Sequence, residues 1–298
     1  MKTYKRLKPN IYNITQKKRL ANQLQNISKE DAIQDFERLK QIHCNAQKKG
    51  LSRIGNKVVD YFTLTERLNT RGNKGISFYD LLYNKSRISK LRYIQNMLSY
   101  YKKKDIKTWK KIMDIYFGSI NIFRPLIAMD IYCRFKPQCV LDITMGWGGR
   151  MIAACALNIP KYIGIDINTE LIQPYKKMQH FMAQLSTTKT ELYFQDAVTF
   201  PYHNIIYDLV LSSLPYYNIE IYNGVSVKTK EQWDEDFYLP LINNSWNGLS
   251  KKGYYCLNIP TEIYDRTAYK VLGEPYQKIL LQKSKRNKYH EYIYVWMK

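Results

Sequence analysis

The sequence from Gln138 onward alternates two textures, and that alternation constrains the fold more than any other feature. Short apolar runs, Cys139–Ile143, Tyr162–Ile165, Leu192–Phe194, Tyr207–Ser212 and Tyr254–Ile259, are separated by longer stretches of helical spacing at Met151–Asn158, Thr169–Leu185 and Asp236–Leu249. Two more runs, Ile279–Gln282 and Tyr292–Trp296, read as a closing pair. Strands alternating with helices predict a mostly parallel sheet covered on both faces.

In such a sheet ligands lie beyond the carboxyl ends of the strands. The first end reads Asp142-Ile143-Thr144-Met145-Gly146-Trp147-Gly148-Gly149-Arg150. Its glycines let the backbone approach a ligand and start the next helix. The spacing departs from the G-x-G-x-x-G of NAD and FAD sites and suits a methyl-donor site better. Taken alone it is equally a tight strand-to-helix bend. Asp166 follows Asp142 by 24 residues, where a carboxylate can accept from both hydroxyls of a ribose. Gln195-Asp196 ends the third run, where it could receive an adenine amino group. Either acid alone reads as a helix cap; their recurrence at successive strand ends is the signal. The fourth end is Ser213-Leu214-Pro215-Tyr216-Tyr217-Asn218.

Upstream the chain is basic. Of the net charge of +22 over 298 residues, residues 1–120 carry +18, from 27 basic and 9 acidic side chains. Residues 121–298 carry +4, from 20 basic and 16 acidic ones. Helical spacing runs over Lys29–Lys48, behind a Ser28 cap and with Ile33, Phe36, Leu39 and Ile42 as its buried stripe. It recurs over Val58–Leu68, from Ser77 through Leu82, over Ile88–Tyr101 and over Trp109–Tyr116. Lysines interleaved with Tyr and Arg suit a polyanion whose bases can stack. A solvated face over a helical core, with lysine enriched by codon usage, is the plainer reading.

No run of eighteen apolar residues exists, which excludes a membrane-spanning helix. Residues 1–18 lack the apolar core of a secretory signal. The five cysteines, Cys44, Cys133, Cys139, Cys155 and Cys256, contain no CxxC pair, and this odd, scattered set argues for a reducing, intracellular compartment. His43-Cys44 is the only close His/Cys pair, so no metal site is expected.

From about Phe123 to the C-terminus the chain resembles S-adenosylmethionine-dependent amino-methyltransferases of DNA, and among them a viral and phage group acting on adenine N6 or cytosine N4. The matching text is Phe123-Arg124-Pro125, VLDITMGWGGR, YIGIDIN, FQDA, SSLPYYNIEIY, KKGYYCLNIP and EYIYVW. The resemblance implies a class I, Rossmann-like fold with a mostly parallel seven-stranded sheet over residues 119–298, behind a basic helical region over 1–118. It implies that Asp142, Thr144, Gly146 and Gly148 line the methionine end of the cofactor. Arg124 would meet its carboxylate, Asp166 its ribose and Asp196 its adenine. Ser213, Leu214, Pro215 and Tyr216 match the family's catalytic loop of Asp, Asn or Ser, then Pro-Pro, then an aromatic, with Leu214 in place of the first proline. Ser213 and the Leu214 carbonyl would orient the amine and Tyr216 would stack on an extruded base. Tyr217, Asn218 and Glu220 would read its edges. Lys102, Lys103 and Lys104, with Lys283 to Lys288, would contact DNA. An RNA substrate and a catalytically silent subunit are the other readings; oligomeric state is not legible.

Overall fold

The computed structural model describes residues 7–42, 44, 52–72, 74–217, 220–221, 228–281 and 291–298. The chain divides into two compact units, one of residues 1–28, 63–121 and 218–227, the other of residues 29–62, 122–217 and 228–298.

The second unit holds the sheet. Its strands are β1 (Cys139–Asp142), β2 (Lys161–Ile165), β3 (Lys189–Tyr193), β4 (Leu209–Ser213), β5 (Tyr254–Ile259), β6 (Gln277–Leu281) and β7 (Glu291–Met297). Their order is β3-β2-β1-β4-β5-β7-β6. β1 to β5 are mutually parallel, and β7 runs antiparallel to both of its neighbours. That order, with one reversed strand, is the class I Rossmann-like methyltransferase fold, as expected. The apolar runs fall where both faces are covered: β1 is buried throughout, and so are all but one residue of β2, β4 and β5. The edge strands β3 and β6 are partly exposed.

The helix Gly149–Ala156 is buried along its whole length. Its small residues let it pack against both Pro125–Phe135 and Lys29–Lys40. Lys29–Lys40 buries Ala32, Phe36 and Leu39, while Ile33 and Ile42 are only half-buried. The helix ends at Lys40, short of the expected Lys48. The Asp35 carboxylate accepts from the Lys57 backbone N–H at 2.8 Å, in the first turn of the helix Asn56–Asn69. Residues 29–62, grouped by charge with the basic region in the sequence, thus lie in the sheet-bearing unit. Pro125–Phe135, which the spacing did not reveal, starts with proline in its first turn and stops at Lys136 with φ 47°. Its Cys133 forms a disulfide with Cys44, a pairing that scattered spacing did not anticipate. Cys139, Cys155 and Cys256 are buried thiols.

The first unit is helical. Ile14–Leu24, which lies ahead of the first stretch of helical spacing found in the sequence, is a helix opened by a capping box of Asn13 and Gln16. Ser77 caps Phe78–Tyr83 as expected, with Asp80 returning the bond. The stretch expected over Ile88–Tyr101 is broken into Lys85–Ile88 and Arg92–Ser99. Asp105 starts the next helix at Ile106, three residues before Trp109, by accepting from Thr108 N–H at 2.9 Å. Tyr79, Leu81, Ile94, Trp109, Ile112 and Phe117 form its core. Arg71–Gly72 pairs antiparallel with Glu220–Ile221. No helix among the described residues is long and apolar enough to cross a membrane.

Candidate functional site

Strand order reverses between β1 and β4, and their carboxyl ends open the crevice where such sheets hold ligands. Asp142 closes β1 with its side chain wholly buried. Its Oδ2 accepts from Arg150 Nε at 2.6 Å and from the Tyr162 hydroxyl at 2.7 Å, and its Oδ1 accepts from the Ser212 hydroxyl at 2.9 Å. Arg150 also reaches the Thr144 carbonyl and lies over the Phe123 ring, 4.9 Å from its centroid. The pairing with Asp142 holds the buried guanidinium charged against desolvation. Asp142 therefore meets protein donors and anchors the turn that follows it. Thr144, expected at the cofactor, ties the two strand ends together. Its N–H donates to Ser212 Oγ at 3.1 Å and its hydroxyl donates to the Ser213 carbonyl at 3.1 Å.

The glycine turn is shaped by close approaches. Gly148 has φ 95°, and a Cβ there would stand 2.8 Å from the Met178 Sδ. A Cβ on Gly149 would stand 2.0 Å from the Phe123 carbonyl oxygen. Gly148 thus answers to packing and to a left-handed backbone, which is the tight-bend reading. Gly146 shares the left-handed backbone, with φ 55°, but nothing lies closer than 3.9 Å to where its Cβ would be, so its side of the turn is an open cradle. The Tyr175 hydroxyl is 3.1 Å from both the Met145 and Gly146 carbonyls and pins the turn from below.

Gly146 N–H donates to Asp166 Oδ2 at 2.8 Å, and Asn168 N–H donates to Oδ1 at 2.9 Å. Burial pushes the Asp166 carboxyl up to about 6, although these two amides pull it down. Each oxygen keeps a lone pair for a further donor. Asp196 is exposed and accepts from Val198 N–H at 2.9 Å. Arg124 is half-buried at the start of Pro125–Phe135. Burial, with the charge of Arg53, lowers its pKa, and Glu291 opposes that shift. The open side of Gly146 and the half-buried Asp166 carboxylate offer a donor and acceptor set to a ligand beyond β1, and Arg124 is a half-buried cation of the same unit.

At the end of β4 the Ser213 hydroxyl donates to Asn258 Oδ1 at 3.2 Å. Leu214 is 2% exposed, so its side chain serves the core in place of the proline ring. The Pro215 carbonyl accepts from the Tyr238 hydroxyl at 2.6 Å. The Tyr216 hydroxyl lies 3.2 Å from both Asn258 Oδ1 and Glu291 Oε1, which pins a half-buried ring at the crevice. Tyr217 takes φ 49°. Its N–H donates to the Tyr238 hydroxyl at 3.0 Å and its own hydroxyl donates to Asp234 Oδ1 at 3.1 Å. Tyr217, expected to read a base edge, is thus a brace of the loop. Asp234 in turn accepts from Arg266 Nε at 2.7 Å. Asp234–Tyr238 and Tyr264–Ala268 are both π-helical turns. They widen their helices just where these residues leave for the loop.

Ser213, Leu214, Pro215, Tyr216, Thr144, Gly146, Asp166 and Arg124 thus all belong to the sheet-bearing unit. Lys102, Lys103 and Lys104 are exposed in the other unit. Glu220 pairs its backbone with Gly72 there. Asn218 and Lys283 to Lys288 lie outside the described residues. The sequence reading missed Arg150, Tyr162, Asn258, Glu291 and Tyr238. Arg150, Tyr162, Asn258 and Glu291 stand inside matched motifs and could have been noticed; Tyr238 depends on packing. No group of three metal-binding side chains occurs among the described residues.

No protein-family model and no curated protein matches the chain. Among solved structures it is similar to the N-methyltransferase NodS of Bradyrhizobium japonicum WM9, with 10% identity and a TM-score of 0.41 over 58% of this chain and 91% of that one. It is similar to TrmN of Thermus thermophilus, with 16% identity and a TM-score of 0.41 over 57% of this chain and 48% of that one. It is also similar to NSun6 of Pyrococcus horikoshii, with 13% identity and a TM-score of 0.42 over 62% of this chain and 53% of that one. The fold is read from strand order and direction.

Proposed function

We propose that the chain transfers a methyl group from S-adenosylmethionine to an exocyclic amine of a DNA base, adenine N6 or cytosine N4. The observation that carries the reading is the meeting of two motifs across one crevice. The hydroxyl of Thr144, two residues beyond β1, is bonded to the Ser213 carbonyl, the last residue of β4. The glycine turn and the Ser213-Leu214-Pro215-Tyr216 loop are therefore fixed to one another.

In this reading Asp166 holds the ribose, the Gly146 cradle the methionine end, Asp196 the adenine and Arg124 the carboxylate. Once bound, the cofactor supplies an electrophilic methyl group. An exocyclic amine is a poor nucleophile, because its lone pair is delocalised into the ring. Acceptors at its two hydrogens draw the nitrogen towards sp³ and aim the lone pair. Ser213 Oγ and the Leu214 carbonyl are those acceptors. Tyr216 offers a ring to an extruded base, in place of the lost duplex stacking. The basic first unit would supply the phosphate contacts.

The test is incubation of the protein with labelled methyl donor and, in parallel, mixed-sequence DNA and RNA, followed by identification of the modified nucleoside. N6-methyladenine or N4-methylcytosine in DNA is the expected product. Label in RNA alone would replace DNA as the substrate, and a methylated carbon would overturn the mechanism.

A further inference from the structure

Asn258 is buried, 3% exposed, at the register position of β5 that faces Ser213 of β4 on one side and Ile293 of β7 on the other. Its Nδ2 donates to the Tyr292 carbonyl at 3.1 Å. That bond settles which way the amide points, since the reversed amide would set two oxygens against each other there. The carbonyl oxygen accordingly faces the crevice, where the hydroxyls of Ser213 and Tyr216 each lie 3.2 Å from it. Tyr216 has a second acceptor in Glu291 Oε1 at 3.2 Å.

A serine hydroxyl has one proton and two lone pairs. A proton pointing at an incoming amine would oppose the amine's own hydrogens, and the nitrogen lone pair is too delocalised to welcome it. A carboxylate or a carboxamide oxygen in the same position needs no such orientation, because it carries no proton. Of the Asp, Asn or Ser choice, an ionised aspartate needs no neighbour to face the amine as an acceptor, whereas serine needs one to take its proton.

We propose that Asn258 is a positioning residue for methyl transfer: its carbonyl takes the Ser213 proton, so that Ser213 Oγ faces the amine only as an acceptor. The inference rests on the amine-methylation reading above. It makes Asn258 the partner that lets serine do the work of a carboxylate.

The experiment measures kcat, cofactor affinity by calorimetry and melting temperature for the wild type, Asn258→Ala and Asn258→Asp. Asn258→Ala is expected to lower kcat about tenfold while cofactor affinity stays within about twofold. Asn258→Asp keeps an oxygen for the Ser213 proton but loses the donor to Tyr292, and is expected to recover most of the rate. If Asp is as slow as Ala, Asn258 serves the sheet through Tyr292 and the inference is overturned. It is overturned equally if Asn258→Ala is as fast as the wild type. A folded wild type that methylates no DNA or RNA would instead overturn the reading of function.

Discussion

Asp166 is a half-buried acid whose ionisation sets a measurable pH dependence. Its carboxyl is raised from the ordinary 3.8 to about 6, desolvation outweighing the amides of Asn168 and Gly146. A raised carboxyl favours the protonated folded protein, so its contribution to stability is full below pH 3.8 and is lost as pH rises through about 6. Ligand binding runs the other way. The ionised group can accept from two ribose hydroxyls, whereas a proton on it blocks one position. Cofactor affinity is expected to weaken about tenfold between pH 7.5 and pH 5, and to be weak and nearly flat in Asp166→Asn. Calorimetry at three pH values checks this; an equal slope in the variant would remove Asp166 from the ribose. The same residue marks how far single residues were legible. An acid at a strand end can be found in the sequence, but its protonation depends on what buries it. Asp142 looked alike in the sequence and serves a different end, because Arg150, Tyr162 and Ser212 surround it.

At the scale of elements, the inner parallel strands β1, β2, β4 and β5 were legible because both of their faces are buried and their sequence is almost purely apolar, whereas the edge strand β3, Lys-Thr-Glu-Leu-Tyr, showed only its last two residues in the apolar run. Helix bounds were less so, because they depend on partners: Asp105 and Asn13 act as caps through side-chain geometry that periodicity does not encode. The two π-turns were invisible for the same reason. Each inserts one residue into a helix and redirects side chains towards the loop after β4. Tyr238, fully buried, accepts from Tyr217 N–H and donates to the Pro215 carbonyl, and so holds both peptide groups around Tyr216. Tyr238→Phe removes one oxygen and leaves both groups without it, at a cost of about 1–3 kcal/mol. Tyr217, held at φ 49°, is then released from a backbone conformation that costs about 1–2 kcal/mol. Methyl transfer is expected to fall tenfold or more, by the order of about 1.4 kcal/mol per decade, while cofactor affinity is retained. Steady-state kinetics beside calorimetry would check it; an unchanged kcat would mean that the loop keeps its shape without Tyr238.

For the whole molecule, net charge was legible but its partition was not. Packing assigns residues 29–62 to the sheet-bearing unit, which leaves the other unit with 20 basic and 5 acidic residues against 27 and 20. Two of its acids are further withdrawn from solvent or paired. Asp80 is 2% exposed and accepts from Asn10, Ser77 and Arg71. Asp114 is paired with Lys110 and Ser119. Lys102, Lys103 and Lys104 are exposed between Arg92–Ser99 and Ile106–Tyr116, next to Tyr100, which is 85% exposed. Exposed cations beside an exposed ring suit a strand whose phosphates and bases are both within reach. Replacing the three lysines by alanine is expected to weaken DNA binding at low salt and to reduce the slope of log affinity against log salt by about 2–3. Cofactor affinity should not change, since the proposed cofactor contacts all belong to the other unit. Fluorescence anisotropy over a salt series, with calorimetry of the cofactor, reads both quantities. A parallel shift with no change of slope would mean that these lysines are not phosphate contacts.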